Sequence, residues 1–225
     1  DDFDPPARPE GQRPGGTLSA MVILTGDAGI REIEERLAGV DGRSTVVVAV
    51  DGHSAAGKST FARRLSVRLS AAVVSGDDFY RVMDPTERAR LGPAEGADRY
   101  YDWERMLTEA LAPLHGGRPA RYRPYDWETN ALGRRLVTVA PQTRVIVEGL
   151  FVSRPELNTM VDLTVLVMAE PDVRHQRQLD RADASDAWLQ RWDAAERWYF
   201  NHVRPPGSFD VVINSTAAGE RTPEP

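Results

Sequence analysis

The stretch GHSAAGKS, residues 52–59, is the part of the chain whose residue types and spacing most directly suggest chemistry. It fits the P-loop pattern G-x-x-x-x-G-K-[ST], in which backbone N–H groups cradle phosphates. In that pattern Lys58 is catalytic and reaches the β- and γ-phosphates of a nucleotide, while the Ser59 hydroxyl binds Mg²⁺. The residues predicted to bind the nucleotide are Gly52, His53, Ser54, Ala55, Ala56, Gly57, Lys58, Ser59 and Thr60.

Lys58 is the one lysine in a chain that contains 28 Lys+Arg. A P-loop needs a compact ammonium group on a flexible stem, and the planar guanidinium of arginine replaces it poorly. Because position 58 is the one position of the chain that has a lysine, the sequence supports the P-loop interpretation over a chance glycine-rich turn.

Carboxylates follow two further strand-like runs. Val145–Val147 runs into Glu148, and a second short apolar run leads to Asp77 and Asp78. Because ligands bind beyond the carboxyl ends of strands in open α/β sheets, these acids are expected near the P-loop. We predict that Glu148 and Asp78 join Ser59 as metal ligands and that Asp77 accepts a proton from an attacking hydroxyl. The alternative is that the acids cap helices or turns.

The surrounding elements are arranged as such a site requires. Thr45–Val50 is an unbroken apolar run, typical of a strand buried on both faces, and it precedes the loop. A helical pattern begins at Ser59, with apolar residues at intervals of four. Further strands are predicted at residues 72–74, 145–147, 163–168 and 209–213. This order predicts an α/β fold of the P-loop NTPase type, a mostly parallel five-stranded sheet with helices on both faces.

Composition narrows the domain organisation and the function class. We predict one domain over residues 21–216 with an insertion at about 80–140, where Arg121–Trp127 and Leu136–Val139 form a hairpin arm. Residues 1–20 and 217–225 are predicted to be disordered tails. A net charge of −6 argues against a nucleic-acid polymer as partner, and the absence of cysteine excludes disulfides. No apolar run approaches the roughly 18 residues of a membrane span, so a cytoplasmic protein is expected.

Four segments resemble the uridine kinase family of P-loop nucleoside kinases, and the resemblance extends over residues 45–214. They are GHSAAGKST at 52–60, SGDDFYR at 75–81, RPYDW at 123–127 and VIVEGLF at 145–151. The resemblance implies a nucleoside-kinase-like fold with a helical lid at about 172–187, and ATP with Mg²⁺ as cofactors. It implies transfer of the γ-phosphate to the 5′-hydroxyl of a uridine- or cytidine-like nucleoside, with Asp77 as general base.

The same resemblance suggests which residues contact the acceptor, and here the chain departs from the family. The candidates are Asp77, Tyr80, Asp102, Tyr125, Trp127 and Asn130, with Asp98 as a rival for Asp102. Asn130 stands near the place where the family has a Thr-His pair that recognises the pyrimidine. The acceptor therefore stays open to nicotinamide riboside, pantothenate or a sugar phosphate. An NTP-hydrolysing regulator is a further alternative, although no Asn-Lys-x-Asp guanine signature is present.

Three arginines, Arg174, Arg177 and Arg181, are spaced to share one helical face in the expected lid. Such guanidinium groups can stabilise charge on a transferring phosphoryl group, and we predict Arg177 and Arg181 as catalytic. The alternative is a solvated face paired with neighbouring aspartates. The aromatic run that follows, from Trp188 to Phe200, is interpreted as core or as a dimer contact, so a homo-oligomer stays open.

Overall fold

A computed structural model of the chain describes residues 22–39, 45–179 and 186–216. The strands are β1 Ile23–Leu24, β2 Val46–Asp51, β3 Ala72–Ser75, β4 Ala120–Tyr122, β5 Tyr125–Asp126, β6 Ala131–Leu132, β7 Val137–Val139, β8 Arg144–Glu148, β9 Leu163–Met168 and β10 Val211–Asn214. The helices are α1 Gly26–Ala38, α2 Lys58–Leu69, α3 Pro85–Arg90, α4 Pro93–Arg99, α5 Trp103–Arg105, α6 Ala112–His115, α7 Pro171–Leu179 and α8 Asp186–His202. A π-helical segment, Met106–Leu111, joins α5 to α6.

The central layer is a sheet of six strands in the order β1-β10-β9-β2-β8-β3, paired in parallel throughout. The parallel α/β architecture is as predicted, and the five predicted strands are all present. The strand count of five is wrong, because β1 adds a sixth strand at the edge beside β10. Two residues are too few to produce a recognisable period, and Ile23 is 48% exposed.

Helices cover both faces of this sheet, which explains its unbroken apolar strands. Every residue of β2 is buried, and successive side chains point to opposite faces. Val46, Val48 and Val50 pack in one core with residues of α1 and α2. Val47 and Ala49 pack in a second core with residues of the segment 106–114. The sheet therefore lies between two apolar cores, and the carboxyl end of β2 leads directly into the P-loop.

The insertion between β3 and β8 is ordered structure. The predicted hairpin arm is present, because β4 pairs antiparallel with β7 and Tyr122 lies opposite Val137. Residues 80–101, which their polar composition suggests to be a mobile segment, instead hold α3 and α4. Helix α4 packs against α8, and Tyr100 at its end stacks on Trp192 at 4.9 Å. Long-range packing of this kind leaves no local signal in the sequence.

The residues predicted to form a lid, about 172–187, include most of α7 and the start of α8. Arg181 lies outside the described residues, as do the predicted tails at 1–20 and 217–225. Within the described ranges, no helix has both the length and the apolar character needed to cross a membrane.

Candidate active site

The P-loop joins β2 to α2, and two glycines give it its shape. Gly52 has a φ angle of 148° and Gly57 one of 93°, and residues with a Cβ rarely adopt these backbone angles. A Cβ on Gly52 would lie 2.1 Å from the carbonyl oxygen of Val167 in β9. Gly57 precedes the first turn of α2, so the N–H groups of that turn face the loop interior. This is the geometry that a phosphate group requires.

A buried aspartate, Asp51, anchors the start of the loop. Its Oδ1 accepts hydrogen bonds from the N–H groups of Gly52 at 2.8 Å and Phe151 at 3.0 Å. Its Oδ2 accepts from the Ser153 hydroxyl at 2.6 Å. Burial raises the pKa of Asp51, and the hydrogen bonds from Ser153 and Gly52 oppose that shift. The carboxylate therefore ties the P-loop to the segment that follows β8.

Lys58, Ser59 and Glu148 meet at the N-terminus of α2. Lys58 Nζ donates to the carbonyl oxygen of His53 at 2.9 Å, and Ser59 Oγ donates to Glu148 Oε2 at 3.1 Å. Burial and the negative charge of Asp77 raise the pKa of Glu148, and Lys58 opposes the shift. A hydroxyl beside a carboxylate suits Mg²⁺, which commonly takes one or two protein oxygens and completes its shell with water and substrate phosphates.

The two neighbouring aspartates after β3 have different surroundings. Asp77 Oδ1 accepts a hydrogen bond from the Tyr101 hydroxyl at 2.9 Å. Asp78 instead accepts a hydrogen bond from Tyr122; burial raises its pKa, and this bond opposes the shift. Asp77 lines the cavity beside the P-loop, whereas Asp78 is not among the described residues that line it. The geometry thus favours Glu148 over Asp78 as the partner of Ser59.

The cavity brings six of the nine residues predicted to bind the nucleotide together with an aromatic wall, and its described lining does not include Gly52, His53 or Ala56. It has a volume of about 190 Å³. Its described lining is Ser54, Ala55, Gly57, Lys58, Ser59, Thr60, Asp77, Tyr101, Trp127, Glu148, Leu150, Trp188 and Trp192. Phosphate-binding backbone, a lysine, two carboxylates and three indole rings therefore face one space.

Two tryptophans of this wall, Trp188 and Trp192 of α8, are not among the acceptor residues predicted from sequence. Their rings stack at 4.8 Å, and Trp192 Nε1 donates to Ser54 Oγ at 2.8 Å. Trp127 of the arm, predicted as an acceptor contact, is 53% exposed and stacks on Tyr80 at 4.6 Å. The sequence does contain a signal for this pair. Trp188 and Trp192 are four residues apart, which places both rings on one helical face.

Several predicted acceptor contacts lie outside the cavity lining. Tyr80 is buried beneath Trp127, and Tyr125 donates through its hydroxyl to Asn130 Oδ1 at 2.7 Å. The Asn130 amide nitrogen donates to the carbonyl oxygen of Met83 at 2.9 Å. Asn130 therefore uses its polar atoms to hold the insertion together.

The rival aspartates Asp102 and Asp98 are likewise occupied elsewhere. Asp102 Oδ1 accepts from the N–H of Arg105 at 3.2 Å, capping the helix, and lies 3.7 Å from Arg81. Asp98 pairs with Arg154 at 2.9 Å. The described lining of the cavity includes neither carboxylate.

Helix α7, which includes residues predicted as part of a lid, contacts the P-loop. Arg177 Nη1 donates to the carbonyl oxygen of Ala55 at 3.1 Å and to Ser215 Oγ at 3.4 Å. Arg174 Nη1 lies 3.7 Å from Glu196 Oε2. Both described lid arginines therefore contact the phosphate-binding loop or its support, and neither lines the cavity.

The fold and the site together define a P-loop nucleotide-binding protein of the kinase type. Residues 47–215 match the Phosphoribulokinase / Uridine kinase family, and the chain belongs to this family. The uridine kinase of Geobacillus kaustophilus is 28% identical over 173 residues, which cover 73% of this chain and 79% of that protein. The uridine kinase of Alkaliphilus metalliredigens is 26% identical over 188 residues, covering 80% and 87%.

Two solved structures share the fold. One is a possible uridine kinase from Bacillus stearothermophilus, with a TM-score of 0.63, 21% identity and coverage of 82% of this chain and 97% of that chain. The other is D-glycerate 3-kinase from Cryptococcus neoformans, with a TM-score of 0.54, 13% identity and coverage of 84% and 93%. The same fold thus serves kinases named for chemically different acceptors.

Proposed function

We propose that this protein is an ATP-dependent kinase that transfers the γ-phosphate to a hydroxyl group of a small, unphosphorylated acceptor with a flat ring. The observation that carries the proposal is the convergence of Lys58, Ser59, Asp77 and Glu148 on one cavity with an aromatic wall. Membership of a kinase family and relatives named uridine kinase support it.

In this proposal the P-loop binds ATP, the phosphate donor. Its backbone N–H groups and Lys58 hold the phosphates in line with the acceptor. Ser59 and Glu148 would hold Mg²⁺, which when bound offsets negative charge on the β- and γ-phosphates. Arg177 and Arg181 are the proposed lid cations, of which Arg177 already contacts the loop.

The acceptor side depends on Asp77. Its carboxylate orients the attacking hydroxyl and accepts its proton as the new bond from that oxygen to the γ-phosphorus forms, while the bond from the γ-phosphorus to the β–γ bridging oxygen breaks and ADP leaves. The Tyr101 hydroxyl fixes one oxygen of that carboxylate. Burial, together with the charge of Asp77, raises the pKa of Tyr101 well above its usual range, so the phenol stays protonated and keeps donating. Asp77 is thereby held in one orientation toward the cavity.

The composition of the cavity narrows the acceptor class. Trp127, Trp188 and Trp192 line the cavity, and aromatic rings of this kind stack on nucleobases. Trp192 already stacks on Tyr100 and Trp188, so Trp127 and Trp188 are the rings that can offer a face to an acceptor. Lys58 is the single cation among the described lining residues, and the donor phosphates require it. A phosphorylated acceptor would lack a cation of its own there. The 5′-hydroxyl of a uridine- or cytidine-like nucleoside therefore suits the cavity better than a sugar phosphate.

Nicotinamide riboside is a second candidate acceptor. Its pyridinium ring is cationic, and indole faces attract cations through their quadrupole. The carboxylates of Asp77 and Glu148 line the same space and add negative potential. The described lining contains no histidine that would select a pyrimidine edge.

A panel assay tests the proposal. The purified protein is given ATP and Mg²⁺ with uridine, cytidine, purine nucleosides, nicotinamide riboside, pantothenate or ribulose 5-phosphate, and ADP release is measured with products identified by mass. We expect acceptor-dependent ADP and a product heavier by one phosphoryl group with a flat-ring acceptor. ADP release that is independent of any acceptor would instead support an NTP-hydrolysing regulator.

Replacing Trp127 with Ala is expected to raise KM for the nucleoside acceptor by roughly 5- to 150-fold, because stacking on a base contributes about 1–3 kcal/mol. KM for ATP should change little. Trp127→Phe keeps a flat face and should recover much of the loss. The matched control is Trp198→Phe, since Trp198 stacks on His202 and is not in the described cavity lining. An unchanged acceptor KM in Trp127→Ala would exclude this ring from acceptor binding.

A further inference from the structure

Glu196 of α8 is a buried carboxylate in direct contact with the P-loop, and its side chain is 1% exposed. Its two oxygens each lie 3.1 Å from the backbone nitrogen of Ser54, which donates to them. The Ser54 hydroxyl also donates to Glu196, and His53 Nδ1 lies 2.9 Å from Oε2. One side chain from a distant helix therefore holds two consecutive residues of the loop.

The contacts of Glu196 extend to the lid and to the aromatic wall. Arg174 of the lid lies 3.7 Å away and is itself 13% exposed. The Trp192 indole N–H donates to Ser54 Oγ, whose own proton goes to Glu196. A continuous hydrogen-bond chain thus connects the cavity wall, the P-loop and the carboxylate.

The charge state of Glu196 fits this role. A buried carboxylate without partners is costly, so its retention in ionised form requires compensating donors or cations. Burial opposes ionisation here, but the hydrogen bonds from His53 and Ser54 and the positive charge of Lys58 outweigh it, and the pKa of Glu196 is lowered.

The loop then has internal partners for several of its N–H groups before any phosphate binds. Gly52 N–H donates to Asp51 at 2.8 Å, Ser54 N–H to Glu196 at 3.1 Å and Ala56 N–H to the carbonyl of His53 at 3.1 Å. The first half of the loop is therefore shaped by the protein itself. Preorganisation of this kind lowers the ordering cost of phosphate binding.

We infer that Glu196 is a positioning residue of the phosphate-binding loop, which holds His53 and Ser54 together with Arg174 in the arrangement that receives a nucleotide. The inference rests on the proposed function only in that the P-loop binds Mg·ATP. It does not depend on which acceptor is phosphorylated.

The test compares Glu196→Ala and Glu196→Gln with the wild-type chain. Calorimetric titration with Mg²⁺ and a non-hydrolysable ATP analogue is run well below each Tm. We expect the Kd of Glu196→Ala to rise by about tenfold or more. Glu196→Gln should recover part of the loss, because its amide oxygen still accepts from Ser54 N–H while the charge facing His53 and Arg174 is gone. Kinetically, the rise should appear in KM for ATP more than in kcat.

Two further variants separate positioning from folding. Asp193→Asn, one turn earlier on α8, removes a carboxylate that pairs with Arg197 at the surface, and it should leave Kd within about twofold. Ser54→Ala removes only the hydroxyl contacts and should weaken binding by a few-fold, which keeps the inference testable if Glu196→Ala does not fold.

Three outcomes are distinguishable. A lowered Tm with unchanged Kd in both Glu196 variants would reduce Glu196 to a structural residue and overturn the inference. A wild-type chain that binds the analogue yet phosphorylates no acceptor would overturn the proposed function alone. A wild-type chain that does not bind the analogue would overturn both.

Discussion

Replacing Asp77 with Asn is expected to lower kcat by about 10²- to 10⁴-fold, the range that a positioned general base contributes. The Kd for Mg·ATP should stay within about threefold of the wild-type value. The amide is nearly isosteric with the carboxylate, and its oxygen can still accept the hydrogen bond from Tyr101. It cannot accept the proton of the attacking hydroxyl, so the loss should fall on chemistry and not on nucleotide binding.

The neighbouring residue provides a matched control. Asp78→Asn makes the same chemical change one position along the chain, at a carboxylate that accepts from Tyr122 and is not in the described cavity lining. We expect it to retain most of its turnover and, at most, to lose some stability. Steady-state kinetics with saturating ATP and acceptor, combined with calorimetry, separates the two effects. Turnover in Asp77→Asn within tenfold of wild type would show that another group accepts the proton.

The part of the site that binds the phosphate donor could be predicted from sequence because the residues that define it lie close together in the chain. The P-loop pattern specifies a strand, a glycine-bounded turn and a helix within a short stretch of chain, and these elements are where the pattern predicts them. Asp77 and Glu148 were predicted by a general rule about strand ends. The structure places both in the cavity lining with Lys58 and Ser59.

The acceptor side could not be predicted as well, because it depends on tertiary contacts. Asn130 and Asp102 have residue types suited to binding a nucleoside, but hydrogen bonds within the insertion involve both polar atoms of Asn130 and Oδ1 of Asp102. Which way a polar side chain in an inserted segment points depends on partners far away in sequence. A resemblance at the level of short motifs does not supply those partners.

Helix α8 contains residues whose contact with the site was not predicted from sequence. Its aromatic residues were interpreted as core or interface, and Tyr199 and Phe200 are indeed buried in the core. Trp188, Trp192 and Glu196 lie at intervals of four on one face, and that face is turned toward the P-loop. An apolar stripe with a single carboxylate in it is a pattern that sequence reasoning could have treated as a contact with a polar loop.

Replacing Lys58 with Ala is expected to lower kcat by at least about 10²- to 10³-fold, the magnitude lost when one preorganised charge-stabilising group is removed. Lys58 Nζ makes one described hydrogen bond, to the His53 carbonyl, so stability should change little. Lys58→Arg should also fail, because a planar guanidinium does not reproduce a compact ammonium in the loop. Near-normal turnover in Lys58→Arg would mean that positive charge alone is sufficient.

The scarcity of lysine makes a second, independent measurement available. Because Lys58 is the one lysine of this chain, an amine-acetylating reagent can modify no other side-chain ammonium. We expect acetylation at residue 58, located by mass spectrometry, to abolish turnover in proportion to its extent and to be slowed by bound Mg·ATP. The Lys58→Ala variant reports any reaction at the terminal amine. Full modification of Lys58 with activity intact would show that transfer of the γ-phosphate does not depend on this ammonium group. Loss of activity without modification of Lys58 would show that the reagent inactivates the protein at another group.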